Sequence, residues 1–72
     1  MNPLELNRSV GLRILLRRER LGLTQEALAA LAGMDRTAIG KIERGERGVT
    51  VGTLWRLAKA LRTTSSQLLR GL

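Results

Sequence analysis

A stripe of polar and basic side chains recurs at helical spacing in the middle of the chain. One side of a predicted helix carries Thr37, Gly40, Lys41 and Arg44, and Arg36 stands at its N-terminal tip. Arginine can donate two parallel hydrogen bonds to O6 and N7 of guanine, and threonine can contact the methyl group of thymine. The N-terminal turn of such a helix enters the major groove first. The stripe is therefore typical of a helix that reads bases in duplex DNA.

The helix that carries this stripe is predicted over about Arg36 to Arg44. Asp35 is the natural N-cap for it, and Gly45 can end it. Ile39 and Ile42 share the opposite side, so we expect that side to be buried. One face of the helix would then be fixed in a core while the other stays free for a ligand.

A preceding helix, predicted over about Gln25 to Ala32, would hold the stripe in place. Thr24 can cap this helix, and Gly33 can end it. We expect Ala29 and Leu31 to lie on its buried face. Two helices that cross steeply through a short turn need a small residue at the contact and a flexible one at the bend, which Ala29 and Gly33 provide. The pair is predicted to form a helix-turn-helix.

Three further helices complete the predicted fold. The first covers about Arg8 to Leu21, the fourth follows a cap at Thr50, and the last begins at Thr64 or Ser65. Since β-branched and aromatic residues are scarce, the fold class is all-α, a compact bundle of five helices. The 72 residues leave room for one domain with a modest core, and we expect residues 1–7 to be flexible.

Composition favours a polyanionic partner and disfavours catalysis. The formal net charge is +7, and the chain has no Cys, no His and a single Asp. The usual metal ligands, thiol nucleophiles and imidazole bases are therefore missing. We expect no enzyme activity, no metal site, no cofactor and no small-molecule ligand. No apolar stretch is long enough for a signal peptide or a membrane span, so we expect no membrane partner and a cytoplasmic location at the nucleoid.

The residues that carry the predicted helix-turn-helix also resemble a known family. The pattern consists of Thr24-Gln25, Ala29, Gly33, Asp35-Arg36-Thr37, Ile39, Ile42-Glu43-Arg44-Gly45-Glu46-Arg47, Thr50, Leu54, Leu57 and Leu61. It resembles the lambda-repressor-like helix-turn-helix family over about Val10 to Leu69. The run Asp-Arg-Thr-x-Ile-x-x-Ile-Glu-Arg-x-x-Arg-x-x-Thr within it looks similar to the controller proteins of restriction-modification systems. These are compact homodimers that bind palindromic operators.

The resemblance implies a role for each matching position. The side chains that would read bases are Arg36, Thr37 and Lys41. Those that would bind DNA phosphates are Gln25, Arg44 and Arg47. Arg18 and Glu43 match a structural ion pair that ties the first helix to the third.

Four positions depart from the family pattern or from the expected burial. Gly40 replaces a residue with a side chain, at a cost near 1 kcal/mol relative to Ala, and would permit close approach to a base pair. Position 17, usually apolar, is Arg17. Leu12 and Leu16 lie opposite Ile14, on a face where water is expected, and would pack against the N-terminal leucines or another chain.

A two-fold dimer on DNA is the predicted assembly, with half-sites about one helical turn apart. Residues that would form its interface, or instead close the core, are Trp55, Leu68, Leu69 and Leu72. Glu26 on the outer face of the second helix offers a contact for RNA polymerase, unless it is simply solvated. Two other functions stay open: an antitoxin-like interaction module with a DNA-binding head, and a non-specific nucleic-acid binder driven by charge.

Overall fold

The computed structural model describes residues 1–72 and consists of five helices without strands. They are α1 (Pro3–Arg20), α2 (Gln25–Ala32), α3 (Arg36–Glu43), α4 (Val51–Ala60) and α5 (Ser65–Leu68). The predicted fold class and helix count are confirmed. None of the five helices combines the length and the apolar character needed to cross a membrane.

The helix ends follow local sequence signals closely. The hydroxyl groups of Thr24, Thr50 and Thr64 each accept a hydrogen bond from the backbone N–H three residues later, as N-caps do. Gly33 ends α2 with φ of 66°, in the left-handed region that favours glycine. The prediction for Asp35 is half wrong. It occupies the N-cap position of α3, but its side chain makes no capping hydrogen bond.

The first helix begins five residues earlier than about Arg8, at Pro3. The side chain of Asn2 accepts a hydrogen bond from the backbone N–H of Glu5 at 2.9 Å and donates one to its carboxylate at 2.9 Å. Proline suits the first helical position because its missing N–H has no partner there. Residues 3–7, expected to be flexible, therefore form the first turns of α1.

The core lies where the inner faces of all five helices meet. The apolar residues of this core are Val10, Ile14, Leu28, Ala29, Ala32, Ile39, Ile42, Leu54, Leu57, Ala58, Leu61 and Leu68. Leu31 is not among them: its side chain is 62% exposed, so the prediction that it would be buried is wrong. Packing of α2 against α3 and α4 uses the side of α2 that carries Ala29 and Ala32, and this leaves Leu31 at the margin.

Two glycines let α1 lie directly against the end of α3. A Cβ atom at Gly11 would overlap the carbonyl oxygen of Ile42 and lie 3.0 Å from that of Glu43. A Cβ atom at Gly45 would lie 2.8 Å from the Cα atom of Arg8, and Gly45 also has a φ of 73°. Backbone-to-backbone contact of this kind fixes the position of α3 relative to the rest of the domain.

Three arginine side chains connect helices. Each donates hydrogen bonds to carbonyl groups at the C-terminal end of another helix. Arg17 donates to the carbonyls of Leu61 and Arg62 at the end of α4, both at 2.9 Å. Arg13 and Arg56 bind the ends of α5 and α2 in the same way. These carbonyls have no partner within their own helix. The arginine at position 17 thus takes a structural role that an apolar residue could not.

Candidate nucleic-acid interface

The exposed face of α3 presents the predicted base-reading side chains together. Arg36, Thr37 and Lys41 are all exposed, while Ile39 and Ile42 on the opposite face are buried. The apolar face holds the helix in the core, so the polar face has a fixed orientation. A protruding helix with donors along one side matches the shape and hydrogen-bonding pattern of a DNA major groove.

Arg36 is held only weakly in this arrangement. Its Nε atom lies 3.7 Å from Oε1 of Glu26, and both side chains are mostly exposed. Exposed ion pairs of this type contribute about 0–1 kcal/mol. Arg36 can therefore leave Glu26 for a stronger acceptor. Glu26 itself is exposed to solvent and has Arg36 as its partner.

A buried polar cluster underlies the interface. Glu43 has a side chain only 1% exposed and accepts hydrogen bonds from Nε and Nη2 of Arg18 at 2.6 and 3.0 Å. Arg18 also donates to the carbonyl of Leu23 at 2.9 Å. Hydrogen bonding to Glu43 raises the pKa of Arg18 above its ordinary value. The cluster ties the C-terminal end of α1 to the end of α3.

Gln25 belongs to the same cluster, a link that sequence reasoning missed. Its Nε2 atom donates to Oε1 of Glu43 at 2.9 Å. One amide hydrogen and the carbonyl oxygen of Gln25 are left over, at the N-terminal end of α2. The predicted phosphate ligand is thus positioned by a buried carboxylate. The two residues are far apart in sequence, and no local pattern signals their contact.

The C-terminal end of α3 holds a second ion pair. Nε and Nη2 of Arg44 donate to the carboxylate of Glu46 at 2.5 and 3.4 Å. This hydrogen bonding raises the pKa of Arg44 and lowers that of Glu46. Sequence reasoning gave Glu46 no role. Arg47, the other predicted phosphate ligand, is exposed in the loop between α3 and α4.

The residues expected at a dimer interface are divided between surface and core. Trp55 is 55% exposed, with Nζ of Lys59 lying 4.8 Å from its ring centroid. Leu69 and Leu72 are partly exposed. Leu68 is 5% exposed and docks α5 onto the core, which is the core-closing alternative for this residue.

The apolar residues on the outer face of α1 stay about half exposed in the folded chain. Leu12 and Leu16 are each about half exposed, and Leu4 shares their stripe at the same level of exposure. The expected packing against the N-terminal leucines therefore does not bury them.

Comparison with known proteins adds a family match to this geometry. The family model described as "Helix-turn-helix" matches residues 14–68. Control protein C.SmaI of Serratia marcescens is 55% identical over 47 residues, which cover 65% of this chain and 56% of that protein. The chain thus spans little more than half the length of this relative.

Two solved structures resemble most of the bundle. The restriction-modification controller protein C.AhdI from Aeromonas hydrophila superimposes with a TM-score of 0.84 and 39% identity, covering 86% of this chain and 94% of that one. The P22 c2 repressor, solved in complex with a synthetic operator, superimposes with a TM-score of 0.80 and 36% identity, covering 88% and 96%.

Proposed function

Since the chain belongs to the helix-turn-helix family, we propose that it is a sequence-specific DNA-binding regulator of transcription, of the restriction-modification controller type. The resemblance to lambda-repressor-like proteins, predicted from the sequence, is confirmed by these matches. One observation carries the proposal: α3 buries Ile39 and Ile42 while it exposes Arg36, Thr37 and Lys41. Such a division suits a helix that is anchored on one side and inserted into a groove on the other.

The roles of individual residues follow from where they lie. Arg36, Thr37 and Lys41 would contact base edges, each good contact being worth about 1–3 kcal/mol of discrimination. Gln25 and Arg47 would hold phosphates and fix the register of the domain on the duplex. Each phosphate that is neutralised releases counterions, so binding should weaken steeply with salt.

A homodimer on a palindromic operator is the proposed assembly. Two copies of α3 related by a two-fold axis would enter the major groove about one helical turn apart, near 34 Å. Trp55, Leu69 and Leu72 leave apolar surface exposed, which a second copy could cover. Binding at a promoter would block or recruit RNA polymerase. With this target the protein would act at the nucleoid, in the cytoplasm.

Selection from a random pool of duplex DNA at moderate salt tests the proposal. We expect a palindromic motif to emerge. Arg36→Ala should then lose preference at one base pair in each half-site, while Arg20→Ala should weaken all sequences by a similar small factor. Arg20 is a suitable control because it is an exposed arginine on α1, outside the helix-turn-helix pair.

The same experiment separates the alternatives. A non-specific binder would enrich no motif, and its affinity would fall with salt equally for every sequence. If Arg36→Ala weakened all sequences by one factor, Arg36 would be a phosphate ligand rather than a reader of bases.

A further inference from the structure

Gly40 occupies an unexpected place in the middle of α3. Apart from proline, glycine is the residue least favourable inside a helix. The backbone at Gly40 does not require it, since only other glycines and Arg62 have positive φ. Gly40 is nevertheless buried, although it lies on the exposed stripe with Thr37 and Lys41. Something on the surface of the protein must cover it.

The cover is the guanidinium group of Arg44. A Cβ atom at position 40 would lie 3.1 Å from Nη1 of Arg44 and 3.8 Å from its Cζ. This spacing is tighter than ordinary van der Waals contact, so a side chain at position 40 would press the guanidinium group away by a few tenths of an ångström. The missing side chain at Gly40 therefore lets the guanidinium group of Arg44, folded back one turn along the base-facing stripe, lie closer to the helix backbone than a side chain there would allow.

Glu46 fixes the orientation of the same guanidinium group. Its carboxylate binds the edge formed by Nε and Nη2 of Arg44. The other edge, formed by Nη1 and the second hydrogen of Nη2, makes no hydrogen bond to the carboxylate. Two parallel donors on one edge are what guanine O6 and N7 accept.

We propose that Arg44 reads a guanine base, with Gly40 providing the space for its guanidinium group and Glu46 acting as a positioning residue. This inference rests on the proposed function and assigns Arg44 a role different from the phosphate contact that the family resemblance implies. The two roles differ in what surrounds the arginine. A phosphate ligand would bring the carboxylate of Glu46 close to a second anion, whereas the guanine edge is neutral.

The ionisation of Glu46 is consistent with this role. Hydrogen bonding from Arg44 lowers the pKa of Glu46, with Lys41 adding a smaller attraction. The carboxylate therefore stays charged across the neutral range. An exposed pair alone contributes little stability, so orientation of Arg44 depends on the space at Gly40 together with Glu46.

The test exploits opposite effects on stability and recognition. Gly40→Ala should raise the thermal midpoint by about 4–8 °C, because alanine favours the helix. The same variant should lose discrimination at a single guanine position, by up to the about 5- to 150-fold that one base contact supplies, measured on the selected operator and all its single-base-pair variants. Arg44→Lys and Glu46→Ala should lose preference at that same position, and Glu46→Gln should retain part of it. Gly52→Ala is the matched control, because Gly52 lies in α4 with no atom nearer than 4.0 Å to its added methyl group.

A modified base sharpens the test. Replacing the guanine with 7-deazaguanine removes the N7 acceptor, so it should weaken the wild type and have little further effect on Gly40→Ala. If Gly40→Ala and Arg44→Lys instead weaken all sequences equally, or leave every preference unchanged, the inference is overturned while the proposed function stands. If the wild type itself selects no motif, the proposed function fails and the inference fails with it.

Discussion

Removing Arg18 should destabilise the domain more than removing Glu43, its partner in the buried ion pair. Arg18→Met takes away two of the three hydrogen bonds to a carboxylate that is 1% exposed, leaving only the amide of Gln25. Glu43→Met leaves a guanidinium group that is 12% exposed and still bonded to the carbonyl of Leu23. The stranded carboxylate is the more costly of the two.

The size of the effect can be set against the stability of the whole domain. Breaking a buried pair from one side costs about 3–5 kcal/mol, and we expect Arg18→Met near the upper end and Glu43→Met near the lower. A 72-residue domain has a free energy of unfolding of about 4–11 kcal/mol. Arg18→Met should therefore lower the thermal midpoint by about 15 °C or more.

The double variant supplies the decisive measurement. Replacing both residues with methionine removes both charges, so it should be close to the wild type, because an intact buried pair adds little net stability. Urea unfolding of all four proteins, followed by far-ultraviolet circular dichroism, gives the coupling energy. Additive losses would contradict the reasoning, as would a larger loss in Glu43→Met than in Arg18→Met.

Three further predictions follow from the backbone and from the second ion pair. Gly11→Ala should lower the free energy of unfolding by about 1–3 kcal/mol, because its methyl group would overlap a backbone oxygen of α3. Gly52→Ala should be neutral or stabilising, and thermal unfolding measures both variants. Arg62→Gly should stabilise by about 0.5–1 kcal/mol, because Arg62 has a φ of 57°; a lower midpoint would contradict this. The lowered pKa of Glu46 means that its pairing with Arg44 is present above the ordinary value of 4.5 and is lost only as the pH falls through the lower folded value. Base discrimination measured at constant salt should therefore be flat between about pH 5.5 and 8.

The features that sequence predicted well are those with local causes. Thr24, Thr50 and Thr64 cap helices through hydrogen bonds that span three residues, and Gly33 ends one through its own backbone freedom. The early start of α1 had a local signal too, the cap at Asn2 followed by proline. Such signals need no knowledge of how helices pack.

The contacts that sequence did not predict depend on distances between elements. Gln25 meets Glu43 only because α2 and α3 cross at a particular angle. The closeness of Gly11 to the end of α3 likewise appears only in the packed bundle. The contact between Gly40 and Arg44 is an intermediate case. The spacing of four residues is local, but the folded-back conformation of the arginine is one of many rotamers.

Some of the arginines that give this protein its positive charge bind helix ends. The net charge therefore overstates the number of basic side chains that are free to bind a polyanion. Exchanging Arg13, Arg17 and Arg56 for lysine would keep the formal charge of +7. It would also replace rigid forks that can bridge two carbonyl groups with single ammonium groups on flexible stems. Two sequences with the same formal charge at neutral pH could then differ in whether their helices stay joined. The basic composition of this small domain therefore reflects its architecture as well as its attraction for a polyanion.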